Sequence, residues 1–191
     1  MNGFRLTLGA MLLLGVLTGL VDNGTVAYFQ RTGASTTNLL TAGTVDIANS
    51  PTTALISIGD MVPGETVTAP LSVTNGGSLT MRYAMASTVT NPDGKGIGAQ
   101  LTLTVKSGVT TCSNAGFGAS GSVVYGSAAL GSSSSSVNVI GTPGSFPNGG
   151  RSLSPSSSET LCFQVALPAS TDTSFQGAST TATFTFSAQQ V

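Results

Sequence analysis

Histidine and tryptophan are absent from this chain, and charged residues make up only 7% of its 191 residues. Without histidine, no Ser-His-Asp or Cys-His nucleophile system can form, and the usual histidine metal ligand is missing. The six lysines and arginines are scattered, so we expect no basic patch that could neutralise a phosphate backbone or an anionic lipid surface. The composition therefore argues against histidine-dependent enzymes and against nucleic-acid partners.

Acidic residues are almost as few. The seven Asp and Glu residues show neither metal-ligand spacing nor a pattern that points to a catalytic carboxylate pair. Isolated acids of this kind are typical of solvated turns. The sequence therefore predicts no enzymatic activity, no catalytic residue, no metal and no cofactor.

Only two cysteines are present, Cys112 and Cys162. In an oxidising compartment such a pair predicts one disulfide that closes a loop of roughly 50 residues and contributes on the order of 3–4 kcal/mol. Two free thiols or a metal site are the alternatives. A metal site is the weaker of these, because the chain has no histidine and no CxxC motif.

The chain is instead rich in serine, threonine and glycine, and it shows repeated alternation of apolar and polar residues. Alternation with one apolar face is typical of half-buried antiparallel strands. It predicts strands at residues 43–48, 54–58, 67–73, 81–89, 101–106, 122–125, 137–140, 161–167 and 181–188. Turn formers such as Pro63-Gly64 separate these segments. We therefore predict an all-β fold, an antiparallel jelly-roll-like β-sandwich of about nine strands.

Two local features refine this prediction. Pro70 lies inside a predicted strand, and because proline cannot donate a ladder hydrogen bond, we expect it at a sheet edge or a bulge. The Ser/Gly-rich region 115–158 is predicted to consist of long surface loops around one or two strands.

The N-terminus has the pattern of a secretion signal. An apolar run at residues 6–21 follows Arg5 and ends in the turn formers Asp22-Asn23-Gly24. The run is short for a membrane span, and no basic stop-transfer cluster follows it. Small residues at Thr25 and Ala27 favour cleavage between Ala27 and Tyr28. We therefore expect a secreted or cell-surface protein that meets the membrane only during export.

Four motifs follow one another along the chain: GTVAYF at 24–29, LTAGTVDI at 40–47, MVPGETVT at 61–68 and VTNGGSL at 73–79. In this order they resemble the TasA/camelysin family of exported fibre-forming proteins. The last predicted strand is loosely similar to the family's last strand, and residues 95–178 carry no recognisable match. Camelysin is described as a surface metallopeptidase. That activity is not carried over, because this chain has no histidine to supply the usual zinc ligands.

The resemblance implies a jelly-roll subunit of extracellular filaments, such as biofilm-matrix fibres and related bundling pili. It implies that the segment after the cleavage site acts as a donor strand that enters a neighbouring subunit, at roughly residues 28–37. Its first residues are Tyr28, Phe29, Gln30, Arg31, Thr32, Gly33 and Ala34. The implied organisation is a signal peptide at 1–27, a donor strand and linker at 28–42, and a jelly-roll domain at 43–191.

The implied partners are other copies of the same chain, together with other matrix or surface components. Two other functions remain open from the sequence. One is a monomeric surface-binding or adhesion module that displays the loops of residues 115–158. The other is a secreted hydrolase such as a peptidase, for which the sequence offers few acids.

Overall fold

The computed structural model describes residues 42–52, 61–146 and 148–191. Nine strands lie in this described part of the chain, and the longest helical elements there are two short 3-10 turns. The strands are β1 (Ile47–Ser50), β2 (Thr66–Asn75), β3 (Met81–Val89), β4 (Thr102–Ser107), β5 (Ser122–Ala129), β6 (Val137–Ile140), β7 (Arg151–Leu153), β8 (Ser158–Ala166) and β9 (Ala182–Gln190). The predicted all-β class is confirmed.

The strands form two antiparallel sheets. The first sheet has the order β1-β2-β8-β4-β5. In the second, β9 pairs along all nine residues of β3, while β6 and β7 pair with two successive parts of β3. Because β6 and β7 use the edge of β3 that β9 leaves free, β3 is the centre of the second sheet.

The core is built by alternate residues of the strands, as the period-two pattern predicts. Tyr83 and Met85 of β3 and Phe163 of β8 are fully buried. From β9, Phe184 and Phe186 pack against this core but remain half-buried. The ring of Phe184 lies 5.0 Å from that of Phe163, so β9 covers β8 of the other sheet.

Several strand predictions differ from the structure. Residues 42–46 are not a strand, and β1 begins only at Ile47, because the backbone of Thr44 and Asp46 bonds to a loop instead. β7 was not predicted, so region 115–158 holds three strands, β5 to β7, rather than one or two. The prediction for 54–58 falls outside the described residues.

Pro70 has a strand partner on one side among the described residues. β1 pairs with β2 only from Ser72 to Asn75, whereas β8 pairs with β2 from Thr66 to Thr74. At Pro70 the described part of the chain therefore supplies one partner, which is Cys162 of β8. The expectation of a sheet edge or a bulge at Pro70 stays a prediction, because residues 53–60, which follow β1, lie outside the described residues.

A disulfide joins Cys112 to Cys162, with the two Cα atoms 5.6 Å apart, as expected. It ties the loop between β4 and β5 to the outward side of β8. Lys106 and Asn114 hold the same loop, because Lys106 Nζ donates to the Phe117 carbonyl oxygen at 2.8 Å and Asn114 Nδ2 donates to that of Thr66 at 2.7 Å.

Candidate functional site

Two sequence motifs that lie 28 or more residues apart meet at one end of the sandwich, which we call the entry pole. It comprises residues 42–46, the loop 75–79 and the turn 154–157. Thr44 O accepts hydrogen bonds from Ser78 N at 3.0 Å and from Leu79 N at 3.3 Å. Asp46 O accepts from Gly76 N at 3.0 Å, and Thr44 N donates to Ser78 Oγ at 3.0 Å. The first described residues of the chain are therefore held at this pole.

Asn75 is the centre of the entry pole. Its side chain is fully buried, and Nδ2 donates to Leu79 O at 2.8 Å and to Leu153 O and Ser154 O, each at 3.1 Å. Its Oδ1 accepts from Gly77 N at 3.0 Å. One amide thus satisfies backbone groups of its own loop and of the turn that leads from β7 to β8.

Gly77 is required by a close backbone approach. A Cβ at this position would collide with the carbonyl oxygen of Thr44. This contact explains the glycine in the VTNGGSL motif, and it shows that the motif holds residues 42–46 in place.

The opposite end of the sandwich, the pocket pole, comprises residues 61–65 and 167–178. β2 runs from this pole to the entry pole, and its ten residues span about 30 Å. Pro63-Gly64 makes the turn into β2, with Gly64 at φ 94°. Gly64 N donates to Leu167 O at 2.8 Å, and Leu167 N donates to Glu65 O at 3.0 Å. These bonds join the start of β2 to the end of β8.

A cavity of about 490 Å³ opens at the pocket pole. Most of its lining is apolar. Its walls are formed by Met61, Val62, Pro63, Ile97, Leu167, Phe175 and Ala178, together with Thr171, Asp172, Thr173, Gln176 and Gly177. Thr171 Oγ1 is buried there and has no hydrogen-bond partner among the described residues. A cavity of this size lies within the range of binding pockets.

The loop that forms one wall of this cavity is tied to a neighbouring turn. Lys95 Nζ donates to Gln176 O at 2.7 Å, and Asp93 Oδ2 accepts from Ser179 N at 2.8 Å. Hydrogen bonds from Lys95 N and Ser179 N lower the pKa of the Asp93 carboxyl. The wall is thus held from outside the cavity, without side chains that would fill it.

A polar cluster joins the two sheets beside the entry pole. The Tyr83 hydroxyl donates to Glu159 Oε1, and Arg151 Nε donates to the same carboxylate at 2.9 and 3.0 Å. Burial and the hydrogen bond to Glu159 raise the pKa of Tyr83 well above its usual range. Tyr83 and Arg151 belong to one sheet and Glu159 to the other, so the cluster is a cross-sheet link.

The described residues offer little chemistry for a metal. No group of three or more His, Cys, Asp or Glu residues lies close enough together in this part of the chain to hold an ion. Both cysteines are oxidised, and Glu159 is paired with Arg151. The remaining donors do not fit a zinc site, which needs three or four nitrogen, sulfur or carboxylate ligands.

The sequence-predicted site residues fall into two groups. Ala27, Tyr28 and the whole proposed donor strand, 28–34, lie outside the described residues, so these assignments stay predictions. Cys112 and Cys162 are described and bonded to each other. Sequence reasoning missed the cavity and the Tyr83 cluster, because each combines residues that are distant along the chain.

Comparison with known proteins identifies the family. The sequence model described as camelysin metallo-endopeptidase matches residues 5–191, nearly the whole chain. This confirms the resemblance seen in the motifs. Comparison with curated proteins gave no match. Across the ranges that the structure describes, no helix is both long enough and apolar enough to cross a membrane.

Proposed function

The chain belongs to the camelysin metallo-endopeptidase family, and we propose that it is an exported structural subunit of an extracellular filament. In this filament the mature N-terminal segment of one copy, residues 28–34, adds a strand to the sheet of the next copy. The filament would serve in a biofilm matrix, as a pilus or in adhesion.

The observation that carries this proposal is the outer edge of β9. β3 pairs with one edge of β9 along its whole length, and no described residue pairs with the other edge. Phe184 and Phe186 lie on this strand with part of their surface exposed. An unpaired edge of nine residues is a template for a further strand. An added strand would satisfy the free backbone groups and cover the aromatic rings.

We take the donor to pair antiparallel with β9, in keeping with the antiparallel pairing of both sheets. β9 runs from the pocket pole to the entry pole, since Val191 N bonds to Thr80 O beside the entry loop. An antiparallel donor would therefore place Tyr28 toward the entry pole and Ala34 toward the pocket pole. The donating copy leaves its own domain at Ala42, on its entry pole. Unlike poles then face each other, and such a contact does not close on itself.

The family description points toward an enzyme, and the donor atoms of this chain point away from one. The 191 residues contain no histidine, and the two cysteines are joined in a disulfide. A zinc peptidase needs several of these ligands and an open coordination position. Because the residues present do not fit zinc, we infer that this member of the family acts as a structural protein.

The donor strand is tested by deletion. We expect the secreted protein without residues 28–37 to remain a folded monomer and to form no filaments in electron micrographs. A synthetic peptide of residues 28–41 should bind this monomer, whereas a peptide with the same residues in scrambled order should not. Filaments in the deletion variant would contradict the proposal.

The structural role is tested separately. We expect the purified full protein, supplied with Zn²⁺, to leave unfolded casein intact over hours. Hydrolysis that stops when a chelator is added, and returns with Zn²⁺, would show that the protein is a peptidase.

A further inference from the structure

We propose that the cavity at the pocket pole receives Leu39 and Leu40 of the copy that donates its strand. This contact would lie at every junction of the filament, next to the donor strand and separate from it. The inference rests on the proposed function, because it takes an ordered end-to-end contact between copies as its starting point.

The chemistry of the cavity suits aliphatic side chains. Met61, Ile97, Leu167 and Phe175 contribute apolar surface to a space of about 490 Å³. Val62 lies at the same cavity with 58% of its surface exposed. Concave sites lined mainly by apolar side chains are typical of binding pockets. An aliphatic occupant would remove this apolar surface from water.

Thr171, one of the residues that line the cavity, also has a buried hydroxyl group. Its Oγ1 is buried and has no partner in the described part of the chain, and a buried hydroxyl without a partner is costly. A peptide segment that enters the cavity brings backbone N–H and C=O groups. To bond with one of these groups the hydroxyl must first turn toward the cavity, because Oγ1 is closed to water in this structure.

Leu39 and Leu40 of the donating copy stand at the place in the chain from which apolar side chains can reach this cavity. They are the only two adjacent apolar residues in the otherwise polar stretch 30–41. They lie two and three residues before Ala42, which the entry pole holds, so they reach at most about 7–11 Å beyond it. In a head-to-tail junction the entry pole of one copy faces the pocket pole of the next, and this reach brings both leucines to the cavity.

A cysteine cross-link tests the contact directly. In filaments of the mature double variant Leu40→Cys/Val62→Cys, mild oxidation should give a ladder of covalent multimers on a non-reducing gel. The matched control is Leu40→Cys/Val123→Cys, since Val123 is 60% exposed and lies on β5 outside the cavity. We expect no ladder from the control. A cross-link only within single chains would show that a chain fills its own cavity, and would overturn the inference.

Two further variants test whether the contact contributes to filament formation. Leu39→Ser/Leu40→Ser removes the occupant and Ala178→Phe fills the cavity. Each should raise the critical concentration for filament formation by tenfold or more. The control Ala129→Phe places the same ring at an exposed position of β5 and should leave the critical concentration unchanged.

The outcomes separate this inference from the proposed function. If deletion of residues 28–37 abolishes filaments while the leucine and Ala178 variants assemble as the parent does, the cavity inference fails and the donor strand stands. If the deletion variant still forms filaments, the donor strand fails. The cross-link then shows whether the cavity forms a junction without it.

Discussion

The two poles of the sandwich are built in opposite ways. At the entry pole one buried amide, that of Asn75, makes four hydrogen bonds to backbone groups, and Gly77 lets two segments touch. At the pocket pole an apolar cavity of about 490 Å³ stays open, and the buried Thr171 hydroxyl lacks a partner among the described residues. One end is completed by the chain itself, whereas the other leaves space and hydrogen-bonding capacity for a partner.

This difference suggests that the two ends of β2 have different roles in the proposed assembly, one as donor and one as acceptor. A donor segment must start from a fixed point if it is to enter a neighbour in one orientation, and the entry pole fixes residues 42–46. An acceptor site must have room, and rigid walls around an open space limit the cost of ordering on binding. The poles therefore match the two roles in head-to-tail assembly.

The largest effect on the free energy of unfolding is expected at the entry pole. Replacing Asn75→Ala removes the side-chain donor to Leu79 O and Leu153 O and the acceptor of Gly77 N, while Ser154 O keeps its bonds from the backbone and side chain of Ser157. Because each unsatisfied buried group costs about 1–3 kcal/mol, we expect the free energy of unfolding to fall by about 3 kcal/mol or more. Urea denaturation of the monomer measures this change in the free energy of unfolding.

Asn148→Ala is the matched control for this change. Asn148 is exposed and its side-chain amide bonds only to Ser145 Oγ, at 2.9 Å, in the described structure. Its loss should alter the unfolding free energy by less than about 0.5 kcal/mol. Equal effects of the two substitutions would show that the entry pole is not built around Asn75.

The strands were predictable where local pattern and tertiary contact agree. β3 was predicted with its observed bounds, because Met81, Tyr83 and Met85 alternate toward the core. β7 has only three residues and no alternation, and it is a strand because β3 supplies its partner. The segment 43–48 was predicted as a strand, but its first residues bond to loop 75–79 instead.

The candidate sites were less predictable than the strands. VTNGGSL is one of the motifs that carry the family resemblance, but nothing local in it shows that Asn75 reaches Leu153, 78 residues away. The cavity combines residues 61–63 with residue 97 and residues 167–178. Contacts of this kind depend on the arrangement of the sheets, which a residue pattern does not contain. The disulfide was easier to predict, because a chain with two cysteines can form only one intramolecular bond between them.

A smaller effect is expected at Tyr83, in the polar cluster beside the entry pole. Tyr83→Phe removes the hydrogen bond to the Glu159 carboxylate and leaves Arg151 paired with it. A hydrogen bond to a charged group is worth about 1.5–3 kcal/mol, so we expect a loss near the lower end of this range at neutral pH. Tyr125→Phe is the control, because the Tyr125 hydroxyl bonds to Ala129 O in an exposed position.

The pH dependence of stability gives a second readout for Tyr83. Its pKa is raised in the folded state, chiefly by burial, while an unfolded tyrosine ionises near pH 10. Below about pH 10 both states keep the proton, and above it only the unfolded state loses it. The stability of the parent should therefore fall as the pH rises above about 10. A fall of the same steepness in Tyr83→Phe would contradict this assignment.

The smallest effect on the free energy of unfolding is expected at the pocket pole. Ala178 is buried against the core and also lines the cavity, so the added ring in Ala178→Phe has the open space of the cavity beside it. We expect the unfolding free energy of the monomer to change by less than about 1 kcal/mol, since overpacking of a filled core would cost about 1–3 kcal/mol.

Gly77→Ala is the matching variant at the entry pole, where the added Cβ meets the Thr44 carbonyl oxygen. If both variants lose the same stability, the cavity has no room for a partner side chain. If only Gly77→Ala is destabilised, a defect of Ala178→Phe in assembly comes from the junction and not from the fold.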